Sequence, residues 1–212
     1  MAMLLLAGNI MAYLMRAYLA DPPLYWLVRK FDFDAEWAFP AWYSSSLLTI
    51  AAVLAIGIYL GERSTARSGW RWCVAGVLLL AMSADETASV HENLGRVIDE
   101  RMSTPGVFHF SWVVVALPLL AAAALVFLPW LWQMERATRL GLIGAAALYF
   151  GGAVGMVMIG GLAAERGGQD SLAFFLAYTV EESLEILGLS LGVLTLSRLA
   201  RRIWVRPPTT PV

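Results

Sequence analysis

Two groups of ionisable residues lie within, or close the ends of, stretches of chain that are otherwise apolar. The first group is Asp85-Glu86 with His91-Glu92, and the second is Glu181-Glu182 with Glu185. A charged side chain at the centre of a bilayer costs ~2.5–3.5 kcal/mol on insertion scales, and neighbouring like charges add repulsion. Such carboxylates persist by taking up protons, by binding a cation or by facing a water-filled cavity. These residues are where we expect the chemistry of the protein.

Carboxylates with one or two imidazoles form a ligand set dominated by oxygen. Such a set suits Mg²⁺, Ca²⁺, Mn²⁺ or Fe²⁺, and Zn²⁺ is also possible with mixed ligands. We predict a divalent metal ion of open identity, with its ligands drawn from Asp85, Glu86, His91, Glu92 and Glu182. Glu181 and Glu185 are the predicted catalytic residues, either one serving as general base for a metal-activated water. The Glu-x-x-His pairs of ferritin-type di-iron bundles are absent.

The composition places the chain among polytopic membrane proteins. Its 212 residues are 59% hydrophobic and 15% charged, against about 25% charged in an average soluble domain. The net charge of −1, with no basic stripe among aromatic residues, argues against a nucleic-acid partner. The single cysteine, Cys73, excludes an intramolecular disulfide and a cysteine-based zinc site. The expected partners are therefore the membrane and a lipid or small lipophilic substrate, while the oligomeric state is left open.

Apolar runs of about 20 residues predict an all-α transmembrane bundle with about six spans. They cover Met3–Ala20, Trp42–Leu60, Trp70–His91, Phe110–Trp132, Leu140–Ala163 and Leu172–Leu199. The first is the least secure because it contains Asn9 and Arg16, and a cleaved signal peptide is the alternative. No basic segment precedes it and no small-x-small cleavage site follows, which favours a retained helix. Residues 1–206 form one predicted domain, and residues 207–212 a disordered tail.

Loop charges predict the orientation of the bundle. Arginines follow the second, fourth and sixth spans: Arg63, Arg67, Arg71, Arg136, Arg139, Arg198, Arg201, Arg202 and Arg206. The positive-inside rule puts these loops and both termini in the cytoplasm of a bacterial cell, with the protein in its inner membrane. Asp85 then lies about 15 residues into an outward span and Glu181 about 10 into an inward one, at ~1.5 Å per residue. We therefore expect the two acidic groups to meet in one cavity beneath the outer face.

Three further patterns bear on that cavity. Acidic residues alternate with aromatic ones before the second span, so Asp32, Asp34 and Glu36, together with His109, are predicted to cap the cavity or add ligands. An ordinary solvated loop is the alternative. Helical spacing places Asp85, Ser89 and Glu92 on one face of the third span. The Gly151-x-x-x-Gly155 pattern predicts close packing between helices within the bundle, with homodimerisation as the alternative.

The order of these motifs resembles an uncharacterised family of small multipass bacterial membrane proteins. The motifs are Phe31-x-Asp-x-x-Glu36 with Pro40-x-Trp42-x-Ser44-Ser45, then Ser83-x-Asp85-Glu86 with His91-Glu92, then Glu181-Glu182-x-x-Glu185-x-x-Gly188. The acidic loop before a serine-containing span is also similar to alkaline ceramidase-type membrane hydrolases, which hold zinc inside a helical bundle. The last span departs from that family, because Glu-Glu-x-x-Glu stands where the family has paired histidines. The likeness therefore implies only a reaction class.

The leading hypothesis is a metal-dependent hydrolase or transferase that acts on lipid. A proton- or cation-coupled transporter is the first alternative, since intramembrane carboxylates also relay or bind coupling ions. Transporters of that kind often have discontinuous helices and internal repeats, and no clear repeat is visible. An accessory or assembly subunit with structural carboxylates is the second alternative, so whether the chain is an enzyme stays open.

Overall fold

The structure is a computed structural model that describes residues 1–19, 25–35, 37–62, 69–102 and 104–205. Every regular element in these ranges is helical, and none is a strand. The α-helices are α1 (Ala2–Tyr18), α2 (Tyr25–Val28), α3 (Phe39–Glu62), α4 (Trp70–Ala88), α5 (Val90–Asp99), α6 (Val113–Leu131), α7 (Arg136–Phe150), α8 (Val157–Gly167) and α9 (Leu172–Val205). Short 3₁₀ turns cover Arg29–Phe31 and Gly106–Phe108, and a π-helical turn, Gly151–Met156, joins α7 to α8. Among the predicted residues, Glu36, Arg63, Arg67, Arg206 and the 207–212 tail lie outside these ranges.

The described helices confirm the helical membrane class of the chain. Four stretches are long and apolar enough to cross a bilayer, namely α3, α6, the continuous α7–α8 stretch and α9. The bent pair α4–α5 makes a fifth if it counts as one span. Helix α1 is apolar but has 17 residues, fewer than the about 20 that a full span needs. Six spans and the positions of the termini therefore stay predictions.

The third predicted span is broken where the first acidic group lies. Helix α4 ends at Ala88, and α5 leaves it at an angle of 68°. The turning residue, Ser89, has φ 51° and ψ 40°, a left-handed conformation that costs an ordinary residue roughly 1–2 kcal/mol. The prediction that Asp85, Ser89 and Glu92 share one helix face is therefore wrong, because the chain changes direction between them.

Helices α3, α4, α7 and α9 form the packed centre, with α3 against α4 and α9, and α7 against α9. Close approach of α7 to α9 depends on glycines other than the predicted ones. A Cβ built on Gly188 would lie 2.6 Å from the backbone N of Tyr149, and one on Gly152 would lie 2.6 Å from the carbonyl O of Glu181. Gly151 and Gly155 face open space. The predicted Gly151-x-x-x-Gly155 packing is therefore wrong, and Gly152 and Gly188 provide it instead.

Candidate functional site

The two acidic groups line one cavity of about 550 Å³ between α4, α5, α6, α7 and α9. We call it the acidic cavity. Its ionisable wall is made of Asp34, Asp85, Glu86, His91, Glu92, Glu181, Glu182 and Glu185. The rest of the lining is mostly apolar and aromatic and includes Leu78, Leu119, Leu120, Phe110, Trp112 and Phe174. The expected convergence of two distant parts of the chain therefore occurs in the fold.

Carboxyl groups from different helices come within electrostatic reach of one another. Glu86 on α4 interacts with both Glu181 and Glu185 on α9, and Glu185 also interacts with Glu182. The residues lining the acidic cavity, in the part of the chain that the structure describes, include His91 but neither lysine nor arginine. The cavity therefore has a large excess of acidic groups over basic ones.

The break after α4 builds a hydrogen-bonded pair from Asp85 and His91. One carboxylate oxygen of Asp85 accepts the backbone N–H of His91 at 2.9 Å, and the other lies 2.8 Å from Nδ1 of the same ring. Trp112 meets the imidazole edge to face, with ring centres 4.9 Å apart. An ionised carboxylate can only accept, so Nδ1 then carries a proton. Asp85 thus orients the histidine and caps the start of α5.

Glu185 is the most deeply placed of the acids, with 6% of its surface exposed. It lies between the two close contacts of α9 with α7, because a Cβ on Gly152 would also lie 3.0 Å from its Cγ. The π-helical turn at Gly151–Met156 lies opposite Glu185, and such turns occur frequently at functional sites. Tyr149, which precedes this turn, also lines the cavity. The backbones of α7 and α9 therefore fix the position of this carboxyl group.

The loop before α3 closes one side of the acidic cavity through residues 33–35. A fully buried Asn9 on α1 holds this segment, since its side-chain oxygen accepts the backbone N–H of Phe33 at 3.0 Å. The amide nitrogen of Asn9 donates to Oγ1 of Thr179 on α9 at 2.9 Å. In the sequence, Asn9 made the first span less secure. A polar residue inside an apolar helix is also the feature that could have identified Asn9 as part of the site. Helix α1 therefore belongs to the structure of the site.

Asp34 lies at the mouth of the acidic cavity, outside the candidate spans. Asp34 is exposed as a whole residue, but protein atoms around its carboxyl group remove part of the surrounding water. This desolvation raises the pKa of Asp34 to about 6, and the neighbouring carboxylate of Asp32 adds to the effect. The carboxyl group therefore titrates nearer to neutral pH than an ordinary aspartate.

Some predicted site residues lie elsewhere. Asp32 is not among the lining residues, and its carboxylate accepts a long hydrogen bond, 3.4 Å, from the hydroxyl of Tyr178. His109 is also absent from the lining, and its ring packs against Phe110 while its Cβ faces Gly161. Arg16 on α1 lies 4.0 Å from Asp170. Of the four predicted capping residues, only Asp34 among those described lines the cavity.

Sequence reasoning also missed the aromatic part of the wall. Trp112 and Tyr149 line the acidic cavity, but nothing in their spacing separates them from other aromatic residues near span ends. Their positions depend on how α6 and α7 pack around α4–α5, which one sequence does not specify. The acidic residues could be identified from the sequence because each charged side chain in an apolar segment has a free-energy cost in a bilayer, whatever its neighbours in the fold are.

The donor atoms suit a divalent cation in kind, but they are not gathered around one point. Among the described residues, no group of three or more His, Cys, Asp or Glu side chains is arranged so that it could hold a metal ion. All five predicted ligands nevertheless line the same cavity. The metal ion and the catalytic roles of Glu181 and Glu185 therefore stay predictions.

Comparisons with known proteins give one match. No curated protein and no solved structure matches the chain. The model of a family described as a domain of unknown function, DUF8692, matches residues 1–199. Since that match covers nearly the whole sequence, the chain belongs to the DUF8692 family.

Proposed function

We propose that the protein binds an amphipathic cation, a molecule with an apolar tail and a positively charged group, inside its membrane bundle. The observation that carries the proposal is the lining of the acidic cavity. Seven carboxyl groups and one imidazole form its ionisable wall, while the remaining walls are mostly apolar or aromatic. A volume of about 550 Å³ also falls within the ~300–1,000 Å³ typical of small-molecule sites.

Charge balance is the physical reason for a cationic ligand. Carboxylates held away from water are costly unless they are protonated or paired, and His91 is the one basic group among the described lining residues. A ligand ammonium placed near Glu86, Glu181 and Glu185 supplies the missing positive charge. Each CH₂ of its tail that leaves water for the apolar walls contributes about 0.8 kcal/mol. The acids then select charge and the walls select an apolar tail.

A divalent metal ion in a lipid hydrolase or transferase is the second candidate, and the Asp85–His91 pair favours it. Histidines that bind metals commonly donate their other ring nitrogen to a carboxylate, which fixes the tautomer. In this candidate His91 would bind the ion together with Glu86, Glu92 or Glu182, and Asp85 would orient His91. The ion would supply an activated water, with Glu181 or Glu185 accepting its proton.

Transport of the bound cation is the third candidate. Discontinuous helices are common at the ion sites of transporters, and the α4–α5 bend lies at the acidic group. Proton- or cation-coupled movement would use the same carboxyl groups. A transport assay in vesicles separates this candidate from binding alone.

We also propose that α1 completes six spans in a bacterial inner membrane, with both termini in the cytoplasm. Basic residues gather at one end of the bundle, where Arg202 pairs with Glu135 and Arg139 lies over Trp132. Arg71 lies over Trp70 at the start of α4. The positive-inside rule makes the arginine-rich end the cytoplasmic one. Cysteine labelling of single sites from outside intact cells tests this orientation.

A calorimetric titration of the purified full-length protein tests the proposed binding. Dodecyltrimethylammonium carries a permanent charge, and dodecanol is its uncharged counterpart. We expect at least about tenfold tighter binding of the cation, because the coupling between close opposite charges at protein interfaces is about 1.5–7 kcal/mol and tenfold is 1.4 kcal/mol. Glu86→Gln with Glu181→Gln should remove this preference, whereas Glu100→Gln, an exposed acid outside the cavity, should keep it.

Three outcomes decide between the candidates. Equal affinity for dodecanol and dodecyltrimethylammonium in the wild-type protein would contradict cation binding. Displacement of the cation by micromolar Zn²⁺ or Mn²⁺, with about one bound metal ion per chain that Glu182→Gln removes, would favour the metal candidate. Unchanged affinities in the double glutamine variant would mean that the carboxyl groups have a structural role only.

A further inference from the structure

A second hollow, of about 510 Å³, adjoins the acidic cavity at its mouth. It is lined by Trp26, Arg29, Lys30, Asp34, Ala35 and Trp37, and we call it the interfacial hollow. Asp34 and Ala35 line both spaces. A headgroup bound in the interfacial hollow therefore lies next to a residue, Asp34, that also lines the acidic cavity.

Among the lining residues that the structure describes, basic groups outnumber acidic ones in the interfacial hollow, the reverse of the acidic cavity. These residues are Arg29 and Lys30 against the single carboxylate of Asp34. The Lys30 ammonium donates to the backbone carbonyl of Trp37 at 3.0 Å, which ties the two sides of the hollow together. An ammonium group has three N–H donors, so this contact leaves further donors for a ligand. An anion is therefore the group that this hollow suits.

The tryptophans indicate where the anion would come from. The exposed fractions of Trp26 and Trp37 are 67% and 82%, and both residues lie outside the candidate spans. Tryptophan side chains with this exposure are typical of the boundary between lipid headgroups and water. At that boundary the abundant anionic group is the lipid phosphate, which arginine binds through two parallel hydrogen bonds and lysine as a point charge.

We infer that the interfacial hollow binds the phosphate of a membrane lipid whose headgroup also carries an amine. The phosphate lies against Arg29 and Lys30, the amine reaches past Asp34 toward the carboxyl groups, and an acyl chain lies along the apolar wall. This inference rests on the proposed function for the amine, and it adds the phosphate and the lipid class. A free phosphate ion has the same chemistry as the headgroup, so the test separates the two sources.

The test compares four probes on the full-length protein in detergent, with bound lipid counted by native mass spectrometry. The probes are phosphatidylethanolamine, which has both charges, phosphatidylglycerol, which lacks the amine, dodecyltrimethylammonium, which lacks the phosphate, and inorganic phosphate as a competitor. We expect phosphatidylethanolamine to bind at least about tenfold more tightly than phosphatidylglycerol. Arg29→Gln with Lys30→Gln should weaken both phospholipids about tenfold and leave dodecyltrimethylammonium unchanged.

Arg96→Gln with Arg101→Gln is the matched control, because it removes two exposed positive charges outside the interfacial hollow. This control should bind every probe as the wild type does. Equal weakening by both double variants would overturn the inference, since the effect would then be one of net charge. Full displacement of lipid by millimolar inorganic phosphate would overturn the lipid source. If the wild-type protein does not bind dodecyltrimethylammonium, the result would instead contradict the proposed function.

Discussion

Gly188→Ala is expected to disturb the packing and the acidic cavity together, because α9 touches the backbone of α7 at this residue. The added Cβ would lie 2.6 Å from the backbone N of Tyr149 and 2.8 Å from the carbonyl O of Ala145. Ordinary contact begins near 3.4 Å, so the helices must separate by roughly 0.8 Å (3.4 − 2.6). Neither contact is with a flexible side chain, so no rotamer change can relieve the overlap.

The expected cost follows from that displacement. Overpacking a tight interior typically costs about 1–3 kcal/mol, and for a chain of this size each kcal/mol lowers Tm by about 2–4 °C. We expect a loss near the upper end of that range, because all three of the nearest atoms belong to the backbone. Separation of the helices should also move Tyr149 and Glu185, which line the cavity, and weaken binding of dodecyltrimethylammonium.

Thermal unfolding of the detergent-purified variants provides the assay. Gly57→Ala on α3 is the matched control, since a Cβ there meets nothing within 4 Å. It should keep the wild-type Tm or raise it slightly, because alanine favours a helix over glycine by about 0.5–1 kcal/mol. A Gly188→Ala protein with wild-type Tm and wild-type cation affinity would refute the argued close approach of α7 and α9.

Three further substitutions test other parts of the site. Asn9→Leu leaves the Phe33 N–H and the Thr179 hydroxyl without their partner, so we expect a loss of about 2 kcal/mol or more in unfolding free energy, read from denaturant titration. Asp34→Asn should raise Tm at pH 7.5 and not at pH 4, because a folded-state pKa of about 6 against an ordinary 3.8 means that stability falls as the carboxyl ionises. A Tm gain at both pH values would contradict that sign. Asp85→Asn should speed hydrogen exchange of the His91 amide about tenfold, because a neutral amide oxygen accepts this bond more weakly.

The helical elements and the acidic residues could be predicted from the sequence, for a physical reason common to both. Apolar length and the cost of charge in a bilayer act on each segment separately, so neither depends on packing. The predicted Leu172–Leu199 span lies within α9, and Glu181 and Glu185 lie one turn apart on it as expected. The meeting of the two acidic groups in one cavity could be predicted from their depth in the bilayer, since both groups are expected at a similar distance below the outer face.

Features that depend on packing escaped the sequence reasoning. At the Ser89 bend the backbone N–H of His91 on α5 donates to Asp85 on α4. The spacing of residues along this part of the sequence fits a continuous helix and does not indicate the bend. The glycines that allow close approach are Gly152 and Gly188, whereas the Gly-x-x-x-Gly spacing indicated Gly151 and Gly155. For the glycines the deciding partner lies on another element. A pattern within one segment cannot identify such a partner.

The excess of carboxyl groups leads to a final expectation about stability. The backbone of α9 packs closely at Gly188 against α7 and at Glu181 against Gly152 of the π-helical turn, so the helix that carries the three glutamates is held in place beside the cavity. Because His91 is the one basic group among the lining residues that the structure describes, we expect protons or a ligand to balance the remaining charge. A cation at 100 times its Kd stabilises the folded state by about 2.7 kcal/mol, which corresponds to a rise of roughly 5–10 °C in Tm.

Dodecyltrimethylammonium should produce this rise in the wild-type protein, and dodecanol should not. The comparison isolates charge, since both molecules have the same tail and differ in the head. In the protein with Glu86→Gln and Glu181→Gln the resting repulsion is smaller, so its Tm without ligand should be higher and its rise with the cation smaller. A double variant that starts at a lower Tm would show that these carboxylates stabilise the fold through partners within the protein, and the charge-balance argument would then be wrong.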